Sequence, residues 1–209
     1  MATKIKTQEV TIGPPNFGIA EFAIKGTAPY CQHRFFKKGE LEDKHRAGST
    51  TKKGAKREKR NFESEYEQAK HISDEGWVGI PAAAFRNALI SACRIVGFQM
   101  TKAKLAMFVL ADGIDPRDKT PLVEIEGEPE MQIDYVRNTT GVVDLRARPV
   151  WAEWAATVKI RYDADMFTLA DVTNLLARVG MQVGIGEGRP DSKKSAGLGW
   201  GTFEVTNEE

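Results

Sequence analysis

The glycine pattern near the C-terminus constrains this chain more than any other feature. Gly180 to Val205 reads GMQVGIGEGRPDSKKSAGLGWGTFEV, with seven glycines around a polar and basic insert, Arg189 to Ser195. Glycine lacks a Cβ, so it takes up positive φ and lets another backbone come close. Successive amides in such a loop form a concave site for an anion. Gly186, Gly188, Gly197 and Gly199 supply that loop, and Arg189, Lys193 and Lys194 add positive charge beside it. The reading is a loop that holds a phosphate backbone, flanked by strands at Met181–Ile185 and Gly201–Val205. The plain alternative is a long hairpin tip, because loops vary freely.

Two nucleotide motifs are excluded. Gly184-x-Gly186-x-Gly188 has Pro190 where a dinucleotide-binding turn needs a helix, and Lys193-Lys194-Ser195 lacks the preceding glycine of a triphosphate loop. No cofactor is expected. Cys31-x-His33 offers two metal ligands with no second pair, so no metal site is expected either. Two cysteines make no disulfide framework, which points to a reduced, cytoplasmic setting. The opening MATKIKTQEV is too polar for a signal peptide, and no apolar run is long enough for a bilayer.

Charge is local rather than global. The whole chain carries +1, yet residues 37–60 hold ten basic and four acidic side chains, a net +6. Almost no apolar residues lie there, so the segment cannot offset its ordering entropy. It is read, with the acidic flank 61–75, as a flexible basic insertion at 37–75 within a single domain spanning 1–209. Charge of one sign in one stretch suits contact with nucleic acid.

The elements alternate between strands and helices. Phe17–Lys25 alternates as a strand, and a second short strand is expected at Tyr30–Phe36. Ile80–Gly97 is a helix, with Phe85, Leu89, Ala92 and Val96 on one face and Gly97 as its stop. Lys104–Ala111 reads as a buried strand, and Leu122–Ile125 with Met131–Val136 as a hairpin. Trp151–Tyr162 is the clearest strand, with Thr157, Lys159 and Arg161 on the face opposite Val158 and Ile160. Thr168–Val179 is the second helix, opened by a Thr168/Asp171 capping box and closed by Gly180. The order is α+β: a ferredoxin-like βαββαβ (RRM-like) antiparallel sheet with two packed helices, long insertions and a glycine-rich loop.

Two segments carry a family resemblance. Ile80-Pro81-Ala82-Ala83-Ala84-Phe85-Arg86-Asn87-Ala88-Leu89 is similar to a helix start, and the Gly188-Arg189 to Val205 stretch resembles a glycine-rich loop with final strand. Together they resemble the repeat-associated mysterious proteins (RAMPs), a superfamily that supplies backbone and processing subunits of CRISPR effector complexes in antiviral defence. Ala82 and Ala83 depart from the family's Gly-Ser, and Asn87 from its small glycine.

The resemblance implies single-stranded nucleic acid, RNA above all, held by its backbone, with copies lined up along the strand as a homo-oligomer or multi-subunit complex. Arg34, Arg86, Lys159 and Arg161 then join Arg189, Lys193 and Lys194 as candidate contacts, with Arg137 and Arg146 behind them. Some relatives cleave RNA through a histidine base, for which His33 is the candidate here. A binding subunit without catalysis is the leading expectation. An endoribonuclease of the same fold is the first alternative, and a viral protein that engages or imitates such a complex is the second.

Overall fold

The computed structural model describes residues 13–34, 61–137, 143–192 and 197–206. In chain order the strands are β1 (Phe17–Gly26), β2 (Tyr30–Cys31), β3 (Gly79–Pro81), β4 (Met107–Leu110), β5 (Gly113–Ile114), β6 (Pro121–Glu124), β7 (Glu130–Arg137), β8 (Val143–Trp151), β9 (Ala155–Asp163) and β10 (Phe203–Thr206). The described helices are α1 (Phe62–Ala69), α2 (Ala82–Ile95), α3 (Met100–Ala106) and α4 (Leu169–Arg178), the last running into a π-helical turn, Val179–Val183. The architecture is α+β with antiparallel sheets. None of the described helices is long and apolar enough to cross a membrane.

The strands form three sheets, where the sequence suggests one. The largest has the order β10-β1-β9-β4; the others are β2-β8-β7 and β3-β6-β5. In the four-stranded sheet, alternation separates two faces. Phe22 and Ile24 of β1 are buried with Ala156, Val158 and Ile160 of β9, Met107 of β4 and Phe203 of β10. Phe85, Leu89 and Ala92 of α2 and Val172, Leu175 and Leu176 of α4 belong to the same core, so both helices cover one face. Phe17, Ile19, Glu21 and Lys25 point to the other face, which no described helix covers.

The two main helices follow their sequence signals. In α4 the Thr168 side chain accepts from the Asp171 amide, and the Asp171 carboxylate accepts from the Thr168 amide, completing the capping box. In α2, with Pro81 at the N-cap, Phe85, Leu89 and Ala92 are buried as their spacing requires, but Val96, expected on the same face, caps the helix end and is exposed. The acidic flank of the basic segment holds α1, whose N-cap Asn61 accepts from Ser64.

Several local expectations are overturned, among them the strand read at Trp151–Tyr162, which divides into the end of β8 at Trp151 and β9 from Ala155. The stretch 104–111 stays helical to Ala106 before becoming β4, because Arg86 donates to the carbonyls of Lys104 and Met107 at that helix end. Residues 122–125 and 131–136 do not form a hairpin. Instead β6 pairs with β3 and β5, and β7 pairs with β8, where Gln132 and Asp134 stand opposite Arg148 and Arg146. Met181–Ile185 is a π-helical turn and a bend, not a strand. Gly180 does not stop the helix. It lets the Phe203 carbonyl rest against it, where a Cβ would collide.

Candidate nucleic-acid interface

The inner limb of the glycine-rich loop is built against the protein itself. The Ile185 amide donates to Gly201 at 3.0 Å, Gly201 to Pro29 at 2.7 Å, and Glu187 to Cys31 at 2.9 Å. The Gly184 amide reaches Val179 at 2.7 Å, and Trp200 reaches Gly188 at 3.3 Å. These N–H groups serve chain carbonyls, so the inner limb is a packed seam and not an open anion nest. Gly186, at φ 73°, sits where a Cβ would meet the Tyr30 ring and the Cys31 carbonyl. Trp200 lies over Gly188. The outer limb differs: Gly197 and Leu198 are exposed and Gly199 half-exposed. Lys193 and Lys194 lie outside the described residues, as does the basic stretch 37–60.

The remaining candidate cations are mostly engaged. Arg189 donates to the Gly186 carbonyl at 2.8 Å and braces the loop from within. Arg34 is nearly buried, its Nε 3.0 Å from Asp118 and 3.5 Å from Asp115. Arg86 caps the end of α3. Lys159 reaches Asp112 at 3.2 Å, and Arg146 pairs with Asp144 at 3.3 Å. The backbone of Arg137 ends β7.

Arg161, like Arg86 at 5.3 Å from the Phe108 ring centre, lies against aromatic rings. It stands on β9, opposite Phe108 of β4 on one side and Ile19 of β1 on the other. Its guanidinium carbon lies 4.8 Å from the Phe108 ring centre and 5.2 Å from that of Phe17, cation–π distances in both cases. The two rings meet edge to face at 6.1 Å. Phe17 is 40% exposed and Ile19 64%. The open face therefore carries two rings and a flat cation across three adjacent strands. Lys159 and Arg161 are candidates from the sequence; Phe17 and Phe108 are not. The parity of β1 holds the missing signal: Phe17 alternates out of phase with buried Phe22 and Ile24.

A polar cluster lies beyond the helices. Asp115 is buried, its carboxylate held by Arg117 through Nε–Oδ1 at 2.8 Å and Nη2–Oδ2 at 2.7 Å. Burial alone would raise its pKa; the Arg117 hydrogen bonds, helped by Arg34, outweigh that and bring it down to about 2. His71 Nδ1 lies 3.3 Å from the same carboxylate. His71, Asp115 and Asp118 place ligand atoms within 4.8 Å of one another. A divalent cation there would have to displace two guanidinium groups, so this donor set fits an ion-pair network and not a metal.

His71 also lines a cavity of about 230 Å³ between the glycine-rich loop and α2, together with His33, Asn87, Ser91, Arg189 and Asp191. Burial, with Arg146 and Arg148 adding to it, lowers His33 to about 4, and burial lowers His71 as well. Both imidazoles are neutral at pH 7. No protein-family model matches the chain, and no curated protein matches it.

Proposed function

We propose that this chain binds single-stranded nucleic acid, RNA in the first instance, across the open face of its four-stranded sheet. The observation that carries the reading is the Phe17–Arg161–Phe108 group on the sheet face opposite the core, in which Phe17 and Arg161 are exposed and Phe108 is half-buried, with the Arg86 guanidinium also 5.3 Å from its ring centre. Unpaired bases stack on aromatic rings and guanidinium planes with little regard to sequence. The open face is mixed in charge, with Glu21 beside Lys159 and Glu204 beside Lys25. Stacking therefore acts on the sheet, and phosphate contacts come from the +6 stretch 37–60 and from Lys193 and Lys194.

Topology supports the same reading. The order β1-α2-β4-β9-α4-β10, with strands arranged β10-β1-β9-β4, fits a ferredoxin-like βαββαβ unit carrying two additional small sheets. It agrees with the RAMP resemblance, under which several copies would line up along one strand. Packing of the inner loop moves the main contact from the loop to the sheet. Gly197 and Gly199 remain at its outer limb, and Lys193 and Lys194 remain candidate phosphate contacts on the sequence alone.

The test is fluorescence anisotropy with a labelled single-stranded RNA of about 16 nucleotides, near the upper site size of one small domain. Replacing Phe17 and Phe108 together with Ala weakens binding at least tenfold, since each stacked base contributes roughly 1–3 kcal/mol. Unchanged affinity in a variant that still melts cooperatively rejects the sheet face. Equal affinity for a duplex of the same sequence rejects single-strand binding. The same RNA, run on a denaturing gel, separates holding from cutting: metal-independent cleavage lost in His33→Ala would replace the binding subunit with the endoribonuclease reading.

A further inference from the structure

The hairpin of β7 and β8 leaves one side unused. Its inner face packs under α1 and carries an ordered polar set, with Arg148 Nη2 2.8 Å from Asp134 and Gln132 Nε2 3.0 Å from the same residue. Its outer face is apolar: Met131, Ile133, Tyr135 and Val143 are 42%, 44%, 80% and 52% exposed. The free edge of β7 has no strand partner among the described residues. An exposed edge with apolar side chains is a template for another strand.

We propose that two copies of this chain pair through the edge of β7, antiparallel, about a two-fold axis at Ile133. This closed pair needs no nucleic acid and does not rest on the reading above. The strand is self-complementary in that register and in no neighbouring one. A two-fold axis normal to the sheet keeps each face on its own side, so paired residue numbers must sum to an even value. Centred on Ile133, Met131 stands beside Tyr135 of the second copy and Ile133 beside its own counterpart. On the polar face Gln132 meets Asp134, and Glu130 meets the apolar Val136.

A shift to Asp134 sets that carboxylate against itself. A shift to Gln132 sets Glu130 against Asp134. Like charges directly opposite are unfavourable, whereas apolar cross-strand pairs stabilise. Centres at Met131 or Tyr135 leave the strands overlapping over only part of their length. The Ile133 register alone joins the apolar ribbons and separates the acids. It also gives the outward main-chain groups of β7 their partners and extends the three-stranded sheet to six strands.

Sedimentation velocity on nucleic-acid-free protein tests this, read from about 1 to about 200 µM, the range where a modest interface dissociates. The 23.2 kDa chain moves to twice that mass as concentration rises. Ile133→Lys, at an exposed position, abolishes the shift and weakens association at least tenfold. Ile19→Lys, at a more exposed position on the other sheet, leaves it intact. Register is read separately with a short bismaleimide, since Cys31 and Cys93 are both buried. Ile133→Cys links to itself across the axis, and Met131→Cys links only when Tyr135→Cys is also present. Monomer at every concentration, a dimer indifferent to Ile133→Lys, or self-linking of Met131→Cys alone would each overturn the proposal.

Discussion

Gly201 closes the glycine-rich loop. Its φ is 67°, and a Cβ there would fall on the Ile185 carbonyl, the same residue whose amide donates to Gly201. Gly197 has a similar φ of 65°, but a Cβ added there would meet nothing within 4 Å. Gly201→Ala therefore costs about 3 kcal/mol or more, combining backbone strain with a clash, whereas Gly197→Ala carries only the strain, about 1 kcal/mol. Urea unfolding of the two variants checks the contrast; equal losses would mean that close approach is not what glycine supplies at 201. His33 makes a second prediction. Its folded pKa is about 4 against 6.5 when free. Between those values the unfolded chain takes up the proton and the folded chain does not, so stability is full above about pH 6.5 and falls toward pH 4. The loss from this group is roughly 3 kcal/mol, and His71 adds in the same direction. Asp115, brought down to about 2, acts only below its free value of 3.8, so the two windows are separate. His33→Asn flattens the fall in urea midpoint between about pH 7 and pH 4.5; an equally steep fall in that variant would assign it elsewhere.

At the scale of elements, the two main helices were the most legible part of the sequence, whereas α3 was read in part as a strand. A helix announces itself locally, through the stripe Phe85, Leu89, Ala92 and through the Thr168/Asp171 box; both formed, though Val96, read on the same stripe, falls beyond the helix and is exposed. Pairing between strands is not local. Residues 122–125 and 131–136 sit close in sequence with Gly127 and Pro129 between them, yet β7 pairs with β8, where Arg148 answers Asp134 across the strands. The glycine-rich segment was legible as a segment and not as a function. Glycine density marks where two backbones approach closely, and it reads the same whether the second belongs to a ligand or to the chain. Here the Phe203, Ile185 and Cys31 carbonyls are the close neighbours of Gly180, Gly201 and Gly186. The open sheet face was half legible: alternation placed Lys159 and Arg161 outward, and the same rule applied to β1 would have added Phe17.

At the scale of the whole molecule, charge decides whether a long polyanion can approach at all. The chain carries +1, so with +6 in residues 37–60 the remainder is at −5. A body of that sign repels phosphates, and the sheet face supplies stacking without compensating charge. Binding then depends on bringing basic residues to a strand that the sheet orients. Replacing residues 44–60 with a neutral Gly-Ser linker of equal length removes eight basic residues and one acid, taking the chain from +1 to −6. If the nucleic-acid reading is right, RNA affinity falls at least tenfold at about 50 mM salt, and the plot of log affinity against log salt flattens by several units, because each lost phosphate contact removes nearly one. The melting temperature stays within about 2 °C, since the segment contributes almost no apolar side chain to a core. A melting temperature that collapses would place the segment in the folded body. Affinity and salt slope that persist would remove the phosphate contacts from it, leaving a −6 protein holding a polyanion by stacking alone, which elementary electrostatics disfavours.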